Sequence, residues 1–136
     1  MVAAVRDGCG TARLKTILET GELADPVLIA RAAEQALSGG ADFLKTSTGK
    51  VAVNATPEAA EILLETIRRT GSDAGFKAAG GVRSVEDAAL YLSMADRIMG
   101  SGWAGPKHFR FGASGLLDAL LEPLGAERGS KRDDGY

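Results

Sequence analysis

Three helix-start signals punctuate the chain, and each follows a short apolar run that ends in glycine or in a polar turn. Asp25-Pro26 and Thr56-Pro57 place a capping residue ahead of a proline at the first helical position. Ser84 with Asp87 resembles a capping box, with Asp in place of the usual Glu. The runs ahead of them cover residues 14–18, 41–44 and Gly75–Ala79, and a fourth at residues 108–111 precedes a helical stretch at 116–124. Short apolar runs bounded by turn residues read as buried strands, and the capped segments carry apolar residues at intervals of three and four. Strand and helix therefore alternate four times with short connections, the signature of consecutive βα units around a parallel sheet.

The first capped helix presents Leu28, Ile29, Ala32, Ala33, Ala36 and Leu37 as its stripe and stops at Ser38-Gly39-Gly40. The second presents Ala59, Ile62, Leu63, Leu64 and Ile67 and ends at Gly71, and the third runs through Ala88, Leu92 and Met94 to about Met99. Residues 1–13 read as the end of a helix broken at Gly8-Cys9-Gly10, and residues 19–22 as the loop after the first strand. Residues 1–125 make one domain in this reading, with 126–136 a polar, flexible tail.

With 136 residues, 45% of them apolar and 25% charged, an ordinary globular domain is expected. The net charge of −2 and the scattered basic residues argue against a nucleic-acid partner. No apolar run approaches the length of a membrane span, and Arg6 and Asp7 interrupt the place where a signal peptide needs its apolar core. A cytoplasmic protein without a membrane partner is the expectation. A single cysteine, Cys9, and a single histidine, His108, leave no disulfide framework and nearly exclude metal chemistry based on those residues. Cys9 is read as a small buried hydrophobe, His108 as a loop or strand-edge residue, and Trp103, Phe109 and Phe111 as core packing or cover for the last strand.

Chemistry concentrates where strands empty into loops, because in a parallel βα layer those loops share one side. Residues 41–51 place Lys45 at the end of an apolar run, followed by Thr46-Ser47-Thr48-Gly49-Lys50, whose hydroxyls, glycine and lysine suit a phosphate. A Walker A loop is excluded, since Leu44 and Val51 stand where it needs glycine and Ser or Thr. Lys77 lies inside the next strand. On neighbouring strands about 4.8 Å apart, two ammonium groups repel and one pKa falls. A neutral amine attacks a carbonyl to form a Schiff base, an electron sink that allows an adjacent carbon–carbon bond to form or break. The plainer alternative has both lysines snorkelling and paired with acids such as Glu19. Three glycine loops, at Gly49 with Lys50, Gly80-Gly81 with Arg83, and Gly112 to Gly115 with Ser114, fit an anion site, although glycines also serve tight turns.

The stretches ETGEL (residues 19–23), ADFLKTSTGKVAVNATPE (41–58), FKAAGGVRSVEDA (76–88) and FRFGASGLL (109–117) resemble, in this order, the C-terminal half of deoxyribose-phosphate aldolase. The resemblance covers almost the whole chain. It implies a partial TIM (β/α)8 barrel of about four C-terminal βα units, and a class I aldolase that works without metal or other cofactor. The implied reaction is the reversible cleavage of 2-deoxy-D-ribose 5-phosphate to D-glyceraldehyde 3-phosphate and acetaldehyde, in deoxyribonucleotide catabolism. Lys45 matches the Schiff-base lysine, and Lys77 the second lysine that lowers its pKa and relays protons. Gly49, Lys50, Gly80, Gly81, Arg83, Gly112 and Ser114 match the phosphate-loop positions, and Tyr136 the C-terminal tyrosine that assists proton transfer.

Three departures accompany the resemblance. Ala78 stands where the family usually has proline, and Gly115 where it usually has a second serine. The family is also about twice as long, in keeping with the ~250 residues of an eightfold barrel, and its aspartate acid–base partner lies on an earlier strand. Four strands alone leave open edges and an uncovered face, so association is expected, either as a homo-oligomer or with a complementing N-terminal half. The alternative is a non-catalytic half-barrel that binds sugar phosphate without turnover.

Overall fold

The structure is a computed structural model that describes residues 1–113 and 115–125. Its centre is a sheet of four parallel strands, β1 (Lys15–Ile17), β2 (Phe43–Lys45), β3 (Gly75–Ala79) and β4 (Phe109–Gly112), in the order β1-β2-β3-β4. Helices α3 (Pro26–Ser38), α4 (Pro57–Thr70) and α5 (Val85–Met99) make the connections between successive strands, and the shorter α1 (Val2–Gly8), α2 (Thr20–Leu23) and α6 (Gly115–Leu121) flank them.

The cap signals act as the sequence indicates. The Asp25 carboxylate accepts from the Val27 and Leu28 amides at the start of α3, and the Thr56 hydroxyl accepts from the Ala59 amide at the start of α4. At α5 the capping box is complete in both directions despite the shorter Asp87. Each pair satisfies amide groups that helix geometry would otherwise leave without an acceptor.

All three long helices cover one face of the sheet. Leu44, Phe76, Ala78 and Phe109 point into that layer and pack with Ile29, Ala33, Leu63, Leu64, Ile67, Tyr91 and Ala95. Phe76 and Leu63 are fully buried, and such side chains contribute ~1.5–3 kcal/mol each. The buried stripes are narrower than the apolar pattern implies. Leu28 is 47% exposed, and on α5 the inward positions are Ala88, Tyr91, Met94, Ala95 and Ile98 while Leu92 faces outward. A helix lying on a sheet buries only the residues over its contact line, so the flanking leucines stay outside.

Other local differences have equally local causes. Residues 19–22, expected as a loop, contain the α2 turn, which begins once Glu19 adopts a left-handed conformation with φ of 48°. The first helix ends at Gly8, where the Gly8-Cys9-Gly10 break is expected, while β4 is shifted one residue onward from 108–111. Cys9 is half-exposed rather than buried. The tail at 126–136 lies outside the described residues.

Among the described residues, the opposite face of the sheet carries no helix. Lys15 and Ile17, Phe43 and Lys45, Gly75, Lys77 and Ala79, and Arg110 and Gly112 alternate onto it, and Ile17 there is 43% exposed. β1 and β4 are the two unpaired edges.

Candidate active site

Strand register brings the two lysines together. Lys45 and Lys77 are direct partners in the β2–β3 ladder, and Arg110 is the partner of Lys77 in the β3–β4 ladder. Lys15 lies on the same face one strand further out, its Nζ 5.5 Å from the centre of the Phe43 ring, while the Arg110 guanidinium sits 4.7 Å from the same ring. Phe43 is thus a fully buried aromatic platform between two cations. Gly75 makes room for it, since a Cβ there would stand 2.4 Å from the ring. None of the four cations forms a salt bridge among the described residues.

Electrostatics follow from that crowding. Burial, followed by the charges of Lys15, Lys45 and Arg110, holds the Lys77 pKa below the ordinary lysine value. Burial, with Arg110 and then Lys45, lowers Lys15 as well. Burial and neighbouring cations that disfavour the ammonium form favour amine chemistry at this end of the sheet.

Glu19 does not pair with either strand lysine. Its carboxylate accepts the Thr48 amide through both oxygens, at 3.0 and 3.2 Å, and so holds the loop that carries Gly49 and Lys50. The hydroxyl run after Lys45 also divides differently from its expected phosphate role. Thr46 and Ser47 are fully buried and bonded to Ala79 at the end of β3, and only Thr48 of the three is exposed.

Three glycine loops do converge. Gly49, Gly80, Gly81, Arg83, Gly112 and Gly115 help to wall a pocket of about 280 Å³. Gly49, Gly80 and Gly81 have φ near +85°, a region that side-chain-bearing residues rarely adopt. The amides of Gly49, Gly81 and Val82 have no hydrogen-bond acceptor among the described residues, whereas those of Arg83 and Ser84 are taken by the Asp87 carboxylate. The anion-ready donors therefore belong to the loops rather than to the first turn of α5. Lys50 is exposed and stands outside the pocket wall. Ser114 and Tyr136 lie outside the described residues.

Gly112 has a second role. A Cβ there would lie 2.7 Å from Lys77 Cε and 2.9 Å from Ala79 Cβ, so its absence lets the Lys77 side chain cross β4. Two charged groups of this face, Lys15 and Arg110, were not singled out by the motifs. A lone charge at alternating positions of a short strand, as in Lys15-Thr16-Ile17 and Phe109-Arg110-Phe111, is the signal that marks them.

A layer of parallel βα units with lysines and glycine loops at the carboxyl ends of its strands is half of a (β/α)8 barrel. The chain belongs to the DeoC/LacD family aldolases, whose family profile matches residues 1–121. It is 57% identical over 137 aligned positions to the deoxyribose-phosphate aldolase of Agrobacterium fabrum, covering 100% of this chain and 53% of that protein. The apo structure of a Toxoplasma gondii ME49 chain assigned as a deoxyribose-phosphate aldolase superposes with a TM-score of 0.84 at 30% identity, covering 94% of this chain and 51% of the other. A tetrameric deoxyribose phosphate aldolase from Aeropyrum pernix superposes with a TM-score of 0.65 at 25% identity, covering 92% and 47%. The chain thus spans about half the length of the relatives it matches. No helix among the described residues is long and apolar enough to cross a membrane.

Proposed function

We propose that this chain is the lysine-bearing half of a deoxyribose-phosphate aldolase and cleaves 2-deoxy-D-ribose 5-phosphate reversibly to D-glyceraldehyde 3-phosphate and acetaldehyde. The observation that carries the reading is the direct pairing of Lys45 with Lys77 at the end of the sheet that also holds the glycine-walled pocket. Lys45 Nζ attacks the aldehyde carbon and expels water, forming an iminium. Loss of the proton on the third carbon's hydroxyl breaks the bond between the second and third carbons, whose electron pair moves into the iminium to give an enamine. D-glyceraldehyde 3-phosphate leaves, a proton returns to the enamine carbon, and hydrolysis releases acetaldehyde and Lys45. Lys77, with its depressed pKa, exchanges protons beside the reacting carbons. The phosphate sits in the pocket walled by Gly49, Gly80, Gly81, Arg83, Gly112 and Gly115, and Lys50 and Ser114 keep the phosphate-loop roles that the family resemblance implies. Tyr136, which lies outside the described residues, is assigned the proton-transfer role of the family's C-terminal tyrosine. Metal and organic cofactors have no role in this scheme, and the cytosol, without a membrane or nucleic-acid partner, is the proposed compartment.

A second reading is favoured by the exposed cationic face: the chain binds sugar phosphate but turns over only when another polypeptide segment completes the barrel. Two copies docked through this face would juxtapose two sets of four cations, and like charges across an interface cost several kcal/mol. An N-terminal half that carries carboxylates fits the face better than a second copy, while homo-oligomers through other surfaces remain compatible with it. Acetaldehyde release from 2-deoxy-D-ribose 5-phosphate separates the two readings. It is measured for the chain alone and with the part of the Agrobacterium relative that this chain does not cover. Activity only in the mixture supports completion, and activity in neither sinks the aldolase reading.

A further inference from the structure

β2 ends at Lys45, yet β3 continues two residues further, through Ala78 to Ala79. The backbone of β2 therefore leaves the sheet before β3 does, and the β2-facing side of the Ala79 peptide has no ladder partner from the main chain. Side chains replace it. The Thr46 hydroxyl accepts the Ala79 amide at 3.0 Å and donates to the Ala79 carbonyl at 3.3 Å, and the Ser47 hydroxyl donates to the same carbonyl. Both residues are fully buried, and the Thr46 amide bonds the Lys77 carbonyl at 3.2 Å. The next residue, Gly80, donates its amide to the Gly112 carbonyl at 3.2 Å, so the three strand ends are tied in a row.

We infer that Thr46 and Ser47 are positioning residues whose hydroxyls hold the Gly80-Gly81 loop in register with Lys45, coupling the geometry of the anion pocket to that of the amine. The assignment rests on the proposed function only in taking that pocket as the phosphate site. The clamp itself stands on the hydrogen bonds. Thr46 suits the task because one hydroxyl both accepts and donates. Valine keeps its shape but offers neither, which leaves the buried Ala79 amide without an acceptor and its carbonyl with the Ser47 hydroxyl alone. Serine keeps both.

The test compares the full chain with Thr46→Val, Thr46→Ser and Ser47→Ala. It reads amide hydrogen exchange residue by residue, inorganic phosphate affinity by titration, and the urea midpoint. Thr46→Val is expected to speed exchange at Ala79 at least about tenfold beyond the change at Leu44, and to weaken phosphate binding several-fold, because a buried amide loses its acceptor. Thr46→Ser restores both to within about twofold of the parent. Equal slowing or speeding of exchange throughout the sheet, or phosphate affinity that follows the urea midpoint alone, overturns the assignment and leaves Thr46 a packing residue. Should Thr46→Val fail to fold, Ser47→Ala, which removes one donor to the Ala79 carbonyl and leaves the Ala79 amide its acceptor, is read by phosphate affinity: weakening beyond what the urea midpoint accounts for supports the clamp, and affinity that follows the midpoint alone overturns it. A parent chain that binds no phosphate removes the phosphate reading of the pocket, while the exchange data still decide the clamp.

Discussion

Lys45 and Lys77 face each other as register partners across the β2–β3 ladder, on the sheet face that no helix among the described residues covers. Neither has a carboxylate partner among the described residues, and with Lys15 and Arg110 they form a row of cations across all four strands. Burial of these amines, and after it the repulsion among gathered like charges, lowers the pKa of Lys77 and Lys15.

The lowered Lys77 pKa sets a direction for stability against pH. Between the depressed folded value and the 10.5 of a free lysine, the unfolded chain binds the proton and the native chain largely does not. Stability therefore rises with pH across that interval, and the penalty is fully present below it. Urea midpoints measured from neutral to alkaline pH should climb for the parent and climb less for Lys77→Met. An equal slope in both would show that Lys77 is not the group responsible.

Gly112→Ala should disturb Lys77 directly. The added methyl meets Lys77 Cε and Ala79 Cβ at 2.7 and 2.9 Å, so the lysine side chain has to move. Overpacking of this kind costs about 1–3 kcal/mol. Thermal unfolding should show the loss, and the Lys77 resonance in nitrogen-15 spectra should titrate at a different pH from the parent. A variant with unchanged stability and an unchanged Lys77 titration contradicts the close approach.

Much of this was legible in the chain itself, for reasons of range. Cap-proline pairs and glycine stops act over a few residues, so Asp25, Thr56 and Ser84 mark their helices correctly. The pairing of Lys45 with Lys77 follows from the order of βα units, because neighbouring units supply neighbouring strands. What stayed hidden depends on three-dimensional packing. The hydroxyls of Thr46 and Ser47 look like phosphate ligands in a Thr-Ser-Thr-Gly-Lys turn. Only the extra length of β3 reveals that they bond Ala79 instead. Leu28 and Leu92 fit helical stripes but miss the contact line with the sheet. Glu19 looked like a partner for the lysines because it is an acid at a strand end, and its left-handed backbone turns it toward Thr48.

Glu19→Ala should loosen the Thr48–Lys50 loop rather than change lysine chemistry. The carboxylate accepts the Thr48 amide through both oxygens, and such charge-assisted bonds contribute about 1.5–3 kcal/mol when shielded, less at this exposed position. Exchange at the Thr48 amide should accelerate, with the Lys77 titration unmoved. A shifted Lys77 titration would restore Glu19 as an electrostatic partner of the lysine pair.

Borohydride trapping decides whether Lys45 is the nucleophile. The chain is incubated with 2-deoxy-D-ribose 5-phosphate, alone and with the uncovered part of the Agrobacterium relative, then reduced and mapped by mass spectrometry. The predicted result is a reduced adduct on Lys45 that disappears in Lys45→Leu. An adduct on Lys77 or Lys15 in its place, or none on Lys45 under either condition from a chain shown to be folded, would contradict the assignment.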